Sequence, residues 1–412
     1  MIKWIKIALR NIIKNKRRSL VTIVAIAIGF ASISLFKGYT DNTYEGLRQS
    51  AIRGEGLGHL TVYKKGWLEN SKKNPDKYMF SEEEIKKVIS IIEDDFDVIL
   101  ATPQLSVSGL ITNGNNSQIF IAIGVVPKDE RVIKGAWEVL SPVKGERLND
   151  KKPYAVEMAE GLASDLLLNP GSDAVVLGTT LSGQMNALDI EVSGTFNTGV
   201  SATNDKYLKL PFSYAQSLYD TKKAEKIVVL LSEWKSTWAV RDRLYKKLNE
   251  NQIVCVIKTW KELSVFFNQV RKMFDLIFLF IFSIVLIIVV MSVINTMSMA
   301  VVERTREIGT LRALGLKRRG VLMLFAIEGG IIGFIGTLFG VVLNIVVWAA
   351  IQYIEPSYIP PGNSTPVPLT VNIVIESMFY LMIFLVLLSI LSSIMPARKA
   401  SKQSVVDALG FV

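Results

Sequence analysis

The chain contains few of the side chains that perform covalent or metal chemistry, and it does not group them. His59 is the only histidine and Cys255 the only cysteine, and no Gly-x-Ser-x-Gly or His-Glu-x-x-His motif occurs. A lone histidine without cysteines or carboxylates at ligand spacing is more often structural than metal-binding. The many carboxylates show no paired-acid pattern. We therefore predict no catalytic residue, no metal site and no intrachain disulfide.

One charged segment has a pattern that could transmit force. Residues 303–321 read ERTREIGTLRALGLKRRGV, with Glu303 and Arg306 at helical spacing and good helix formers up to Leu314. Gly315 is a candidate C-terminal cap. Helix formers also extend back to about residue 263, and some 45 helical residues would span roughly 65 Å, about twice the bilayer core. The alternative is an ordinary basic loop, and charge alone does not separate the two.

A second segment combines one acid with regularly spaced glycines. Glu328 lies near one end of an apolar stretch, where an ionisable residue is either functional or paired with a nearby basic residue. Small residues four apart allow helices to approach closely, within the subunit or between two subunits. The glycines with this spacing are Gly329, Gly333, Gly336 and Gly340.

Both segments must be positioned by membrane helices, and the composition of the chain predicts such helices. The 412 residues carry a formal charge of +10, which suggests a nucleic-acid-binding protein, but half are hydrophobic and the mean hydropathy is +0.34. Such a composition excludes a disordered chain and argues against nucleic acid as a partner. Crossing a bilayer takes roughly 20 apolar residues. Four stretches qualify, at about 20–36, 276–302, 321–354 and 377–395, with Pro396 ending the fourth.

Basic residues predict the orientation of these helices. Residues 1–18 hold seven basic residues and no acid, and 303–320 hold six against two acids, whereas 355–376 holds none. By the positive-inside rule, both termini and the 303–320 connection are cytoplasmic. Residues 1–18 also read as an amphipathic helix lying on membrane lipid. The net charge of +10 therefore comes from the membrane part of the chain and indicates the orientation of its helices.

The predicted outer domain is large and carries no net charge. Ser81 and Glu84 form a capping box that opens a helix to about Asp95, and a second helix is predicted over 237–249. The two α+β ends could share one sheet around a β-rich insertion. The predicted divisions are a cytoplasmic amphipathic helix (1–18), four transmembrane helices (19–40, 273–302, 321–354, 377–396), an extracytoplasmic domain (41–272, with porter-like ends at about 41–126 and 224–262 and an insertion at about 127–223), a cytoplasmic coupling helix (303–320), an extracytoplasmic loop (355–376) and a cytoplasmic tail (397–412).

These segments together resemble the permease subunits of the MacB/FtsX-type ABC transporters, and the layout is closest to the lipoprotein-releasing LolC/LolE branch. The resemblance covers most of the chain. Its motifs are IALRNIIKNKRRSLVTIVAIAIG (7–29), ERTREIGTLRALG (303–315), the third helix with Glu328 and its glycines, IPPGN (359–363) and PARKASKQSVVDAL (396–409). GHLTVYKKG (58–66) and GLASDLLLNPGSDAVVL (161–177) are similar to the LolC/LolE branch. The tail departs from the pattern, because Val405 replaces a usual proline and Gly410 a usual arginine.

The resemblance implies an α-helical integral membrane protein with four transmembrane helices and a large α+β extracytoplasmic domain between helices 1 and 2. It also implies a multi-pass protein of the inner (cytoplasmic) membrane that pairs with an identical or related permease subunit and with two copies of a separate ABC ATPase. ATP and Mg²⁺ would be bound by that ATPase, in agreement with the absence of a Gly-x-x-x-x-Gly-Lys-Ser/Thr motif here. The residues that the resemblance places at the ATPase are Glu303, Arg304, Arg306, Glu307 and Arg312.

The resemblance leaves two functions open. The first is a non-catalytic permease subunit that couples ATP hydrolysis to extraction or release of a hydrophobic substrate, with lipoprotein as a candidate, at the outer face of the inner membrane. The alternative is an FtsX-like mechanotransmission subunit that regulates an extracytoplasmic enzyme. The size of the outer domain favours the first. A membrane receptor without an ATPase has no need for the 303–315 segment.

Overall fold

The N-terminal segment forms two successive helices. A computed structural model describes residues 2–135, 137, 143–359 and 366–402. Helix α1 (Ile2–Lys14) ends at a turn at Asn15, and α2 (Lys16–Gln49) continues into a π-helical turn, Ser50–Gly54. The amphipathic helix is therefore shorter than the predicted 1–18, and the next helix longer than the predicted 19–40. Residues 38–46 read GYTDNTYEG and are rich in poor helix formers, so the local sequence favours an end near residue 40 that the structure does not have.

The chain folds into two units. One comprises Met1–Tyr44, Val270–Ser357 and Pro368–Val412, and the other Glu45–Gln269 with Tyr358–Val367. We call them the membrane unit and the outer unit.

The outer unit alternates short helices with strands. In chain order, its helices are α3 (Trp67–Asn70), α4 (Pro75–Tyr78), α5 (Glu82–Glu93), α6 (Pro127–Lys134), α7 (Glu160–Asp165), α8 (Ser201–Asn204), α9 (Phe212–Tyr219), a 3₁₀ turn (Trp234–Ser236), α10 (Thr237–Glu250) and α11 (Trp260–Leu263). Its strands are β1 (Leu60–Lys64), β2 (Val98–Thr112), β3 (Ser117–Val125), β4 (Val143–Gly145), β5 (Ala155–Ala159), β6 (Asp173–Thr179), β7 (Met185–Phe196), β8 (Tyr207–Pro211), β9 (Lys226–Leu231) and β10 (Cys255–Thr259).

The two ends of the outer unit meet in one antiparallel sheet. Strand β1 pairs with both β9 and β10, and β9 also pairs with the first half of β2, from Val98 to Gln104. Helices α5 and α10 supply the other side of this core through residues such as Val88 and Leu244, which are fully buried. The predicted capping box of α5 is confirmed, since the Glu84 N–H donates to Ser81 Oγ and the Ser81 N–H donates to the Glu84 carboxylate.

The remaining strands close on themselves. The second half of β2 pairs with β3 and β6, and the sequence of pairings β2–β3–β8–β5–β7–β6 returns to β2. Phe120, Val176 and Leu208 lie fully buried in the core of this six-stranded ring. Residues 105–125, which the sequence groups with the porter-like end, therefore pair with strands of the 127–223 insertion. The prediction placed them otherwise because strand pairing between residues distant in sequence leaves no local pattern.

The membrane unit contains four helices long and apolar enough to cross a bilayer. They are α2, which together with the π-helical turn extends to Gly54, and α12 (Val265–Glu303), α14 (Arg318–Ile354) and α15 (Ile375–Lys402). A short helix, α13 (Thr305–Ala313), separates α12 from α14. Strands β11 (Ser357–Tyr358) and β12 (Val367–Pro368) pair between α14 and α15. The prediction of four membrane helices with a large α+β domain is thus confirmed.

Helix α15 does not end at Pro396, contrary to the prediction. Pro396 lies inside the helix, which continues to Lys402. Proline removes one backbone hydrogen bond, but a helix is kept where its neighbours hold it. Ala397 and Ala400 are buried in the core of the membrane unit with Phe325, so packing supports the last turns. Most of the IPPGN motif and the end of the tail, with Val405 and Gly410, lie outside the described residues.

Candidate functional site

The connection between α12 and α14 is a separate short helix with defined ends. Arg304 leaves the helical conformation (φ −112°, ψ 15°), so α12 ends at Glu303 and α13 begins at Thr305. Gly315 follows α13 with φ +98°, a left-handed conformation that glycine adopts without steric cost. The predicted capping role of Gly315 agrees with this geometry. The local sequence therefore folds into a short helix with defined ends rather than an open loop.

A buried ion pair fixes the start of α13 to α14. Arg304 Nη1 donates to Glu328 Oε1 over 2.9 Å, and the two residues are only 6% and 2% exposed. The side chain of Asn11, on α1, lies beside the same carboxyl group. The second carboxylate oxygen, Glu328 Oε2, is buried without a hydrogen-bond partner among the described residues. Buried charges are retained only when paired, so the two side chains depend on each other.

This geometry concerns two residues that the sequence singled out, Arg304 and Glu328. Arg304 was expected at the surface facing an ATPase, but it is directed inward and bonded to Glu328. Its position at the helix break turns its side chain away from the outward face of α13. Glu328 pairs with a neighbouring basic residue, and its functional role stays a prediction.

The two acids of the connection pair with the N-terminal helices. Lys14 Nζ lies 3.5 Å from Glu307 Oε1, and Arg18 hydrogen-bonds to Glu303. The side chains of the first pair are 70% and 59% exposed, so this pair contributes about 0–1 kcal/mol. Together with Asn11, these contacts bring α1, the beginning of α2 and α13 into one cluster.

Helix α13 has an inward and an outward face. Ile308 and Gly309 are buried, whereas Arg306, Glu307 and Thr310 are exposed. Arg312 is partly exposed. Two leucines also remain at the surface, Leu311 at 43% and Leu314 at 80%. Exposed leucines next to charged residues form a surface suited to a protein partner.

These two leucines and Asn11 were not among the residues predicted from the sequence. The local sequence carried no signal for the exposed leucines, because Leu311 lies three residues after Ile308, a spacing that places both on one helical face and favours burial. No local signal identified Asn11, because its proximity to Glu328 depends on packing between distant helices.

The glycines of α14 contact helices of the same chain. A Cβ atom built on Gly329 would lie 2.6 Å from Ser393 Oγ, and one on Gly333 would lie 2.8 Å from Ser389, both on α15. Distances this short are not tolerated, so these positions require glycine. Gly336 and Gly340 are equally close to α2, where the nearest residues are Ile26 and Phe30. Both glycine pairs therefore bring helices together within the chain.

Within the described residues, no group of three or more His, Cys, Asp or Glu side chains comes together. Burial raises the pKa of the Cys255 thiol to about 11, so this thiol is protonated at neutral pH.

When the chain is compared with known proteins, two family models match it. Residues 19–246 match the MacB-like periplasmic core domain, and residues 279–405 match the FtsX-like permease C-terminal domain. Among similar proteins, the lipoprotein-releasing system transmembrane protein LolC of Neisseria meningitidis is 22% identical over 80% of this chain and 76% of its own. The uncharacterized ABC transporter permease MJ1507 of Methanocaldococcus jannaschii is 23% identical over 98% and 97%. The macrolide export ATP-binding/permease protein MacB 1 of Yersinia pestis is 22% identical over 98% of this chain but 59% of its own length.

Proposed function

Because the chain belongs to the MacB/FtsX-type family of ABC transporter permeases, we propose that it works as a membrane subunit with a separate ATPase. On this proposal, ATP-driven motion of the ATPase is passed through α13 to the membrane helices and the outer unit. The transported or released substrate is hydrophobic, and lipoprotein is the candidate because relatives named as lipoprotein-releasing proteins align with most of the chain.

The way α13 is attached supports the proposal. Its outward face presents Arg306, Glu307 and Leu311 to a partner, and its first residue follows the buried Arg304–Glu328 pair. A push on α13 therefore acts directly on α14 through a pair that cannot be separated cheaply. A connecting loop without internal contacts would absorb the same displacement.

The proposal places ATP binding outside these 412 residues. No Gly-x-x-x-x-Gly-Lys-Ser/Thr motif occurs in the 412 residues. The protein named as a combined ATP-binding/permease protein is covered only over 59% of its length. Glu303, Arg306, Glu307 and Arg312 remain the proposed contacts to the ATPase, with Leu311 and Leu314 added and Arg304 reassigned to the interior.

We place both termini and α13 on the cytoplasmic side of the inner membrane, since the basic residues concentrate there. A second permease subunit, identical or related, completes the proposed transporter. The four glycines of α14 already pack against helices of the same chain, so the contact with the second subunit uses other surfaces.

Recovery of the ATPase with the purified protein tests the proposed docking face. Replacing Leu314 by Asp puts a charge on an 80% exposed residue directly after α13, and Leu167→Asp makes the same change at a residue 77% exposed in the outer unit. Loss of a central interface residue costs about 2 kcal/mol or more, which is over tenfold in affinity. We expect Leu314→Asp to release the ATPase and Leu167→Asp to retain it. Equal recovery with both variants would reject α13 as the docking element.

Photocrosslinking from the outer unit in cells tests the substrate. A crosslinking residue at an exposed position such as Ile119 should capture acylated lipoprotein, and the yield should fall when the ATPase is inactivated. Capture of a cell-wall enzyme with no lipoprotein would favour the mechanotransmission function instead.

A further inference from the structure

A groove in the outer unit is lined mainly by hydrogen-bond donors. It has a volume of about 290 Å³ and lies where the π-helical turn after α2 meets the residues that follow β9. Its lining residues are Gln49, Arg53, His59, Ser232, Glu233, Trp234 and Lys235. All of them belong to the outer unit. The volume is roughly ten times that of one liquid water, so a small organic ion fits.

His59 contributes a neutral donor to this groove. Its Nδ1 accepts the Leu231 N–H over 3.0 Å, which places the proton of the neutral ring on Nε2. Burial, with help from Arg53 and Arg48, lowers the pKa of His59 to about 4, so the ring is neutral at pH 7. Within the described ranges Nε2 has no hydrogen-bond partner, although the residue is only 5% exposed. The Nε2–H group is thus the polar group that His59 offers to the groove.

Two cations in the lining are not neutralised. Arg53 donates one N–H to the Ile133 carbonyl over 2.9 Å, and its other N–H groups are left for a ligand. Neither Arg53 nor Lys235 forms an ion pair in the part of the chain that the structure describes, and Glu233 is the only acid in the lining. The guanidinium group of Arg53 and the ammonium group of Lys235 can both donate hydrogen bonds to the oxygen atoms of a phosphate group.

The aromatic wall of the groove is held in place by a different arginine. The Arg48 guanidinium lies 3.8 Å from the centre of the Trp234 ring and pairs with Glu45. Trp234 is therefore oriented by stacking, and its ring provides an apolar surface beside the cations. A ligand with an anionic head and a short organic substituent satisfies both parts of the groove.

We propose that this groove binds the phosphate group of a phosphate ester, through Arg53, Lys235 and the Nε2–H of His59. The ester is either a soluble metabolite or the headgroup of an anionic phospholipid, and the phosphate chemistry is the same in both. The site is independent of the docking face on α13, so the two proposals fail separately.

The single histidine makes binding directly measurable. In the full-length protein in phosphate-free detergent micelles with ¹⁵N-labelled histidine, every imidazole signal comes from His59. A bound phosphate favours the charged ring, and we expect glycerol 3-phosphate to raise the His59 pKa by about one unit or more. At pH 5 the protonated fraction would then rise from roughly one tenth to roughly half.

Matched variants and a second medium complete the test. Arg53→Gln with Lys235→Gln should abolish the response, and Lys222→Gln, a change of an exposed lysine outside the groove, should retain it. The same shift in phosphatidylglycerol nanodiscs without added ester would support binding of the lipid headgroup, and a shift only with the soluble ester would support the metabolite. No shift in either medium overturns the proposal. An equal shift with acetate, or in the double variant, also overturns it.

Discussion

The buried pair of Arg304 and Glu328 gives the sharpest energetic prediction. Two charges about 4 Å apart attract by about 4 kcal/mol at an effective dielectric of about 20. Removal of one partner from a buried pair costs about 3–5 kcal/mol, because the other charge stays buried. We therefore expect Arg304→Met and Glu328→Leu each to destabilise the protein by about 3–5 kcal/mol. The double variant should lose much less than the sum, about 0–2 kcal/mol, since no buried charge remains.

The double-mutant cycle is measured by denaturant unfolding of the purified chain in detergent micelles. A coupling energy above about 2 kcal/mol is the expected result. Lys14 and Glu307 provide the matched control, because their side chains are 70% and 59% exposed at 3.5 Å, and their coupling should stay below about 1 kcal/mol. Additive losses at Arg304 and Glu328, or equal coupling in the two cycles, would refute the assignment of a buried, mutually dependent pair.

Three further outcomes are expected. Gly333→Leu should lower the thermal midpoint by overpacking α14 against α15, at a cost of about 1–3 kcal/mol, whereas Gly46→Ala, which meets no atom within 4 Å, should leave it equal or higher. Cys255 should resist a membrane-impermeant maleimide in the folded protein, since burial raises its pKa to about 11, and a cysteine replacing Leu314 should react only in inside-out vesicles. Burial lowers the pKa of Lys134 from 10.5 to about 7. Between pH 7 and 10.5 the unfolded chain binds more protons than the folded chain, so the stability that this group contributes rises with pH. Lys134→Met should remove that part of the rise in thermal unfolding scans.

Elements that depend on local sequence could be predicted, and those that depend on packing could not. Long apolar runs identify the four membrane helices, and Ser81 with Glu84 identifies the start of α5. In contrast, Arg304 lies in a cluster of basic residues that suggests exposure, and its inward direction depends on Glu328, 24 residues away. Pro396 has a strong local tendency to end a helix, and the surrounding core overrides it.

The residues of the candidate site also fall into those that the local sequence predicts and those that depend on packing. The 303–315 segment and the importance of Glu328 are visible in the sequence, as charged residues beside apolar stretches. The partner of Glu328, the role of Asn11 and the helices contacted by each glycine pair are not, because each joins residues from helices distant in the chain. The groove around His59 has the same origin, since its lining comes from two segments about 170 residues apart.

The pairing pattern of the outer unit has a consequence for synthesis. Every strand of the six-stranded ring has been made once residue 211 has left the ribosome. The sheet at the ends cannot be completed then, because β1 must wait for β9 and for β10, which ends at Thr259. The six-stranded ring is therefore able to fold first, while Leu60 and Val62 wait about 165 to 170 residues of translation for β9 and almost 200 for β10. A chain that stalls between these points exposes an apolar unpaired strand directly after its first membrane helix, which makes this interval the one in which the nascent protein most needs a chaperone.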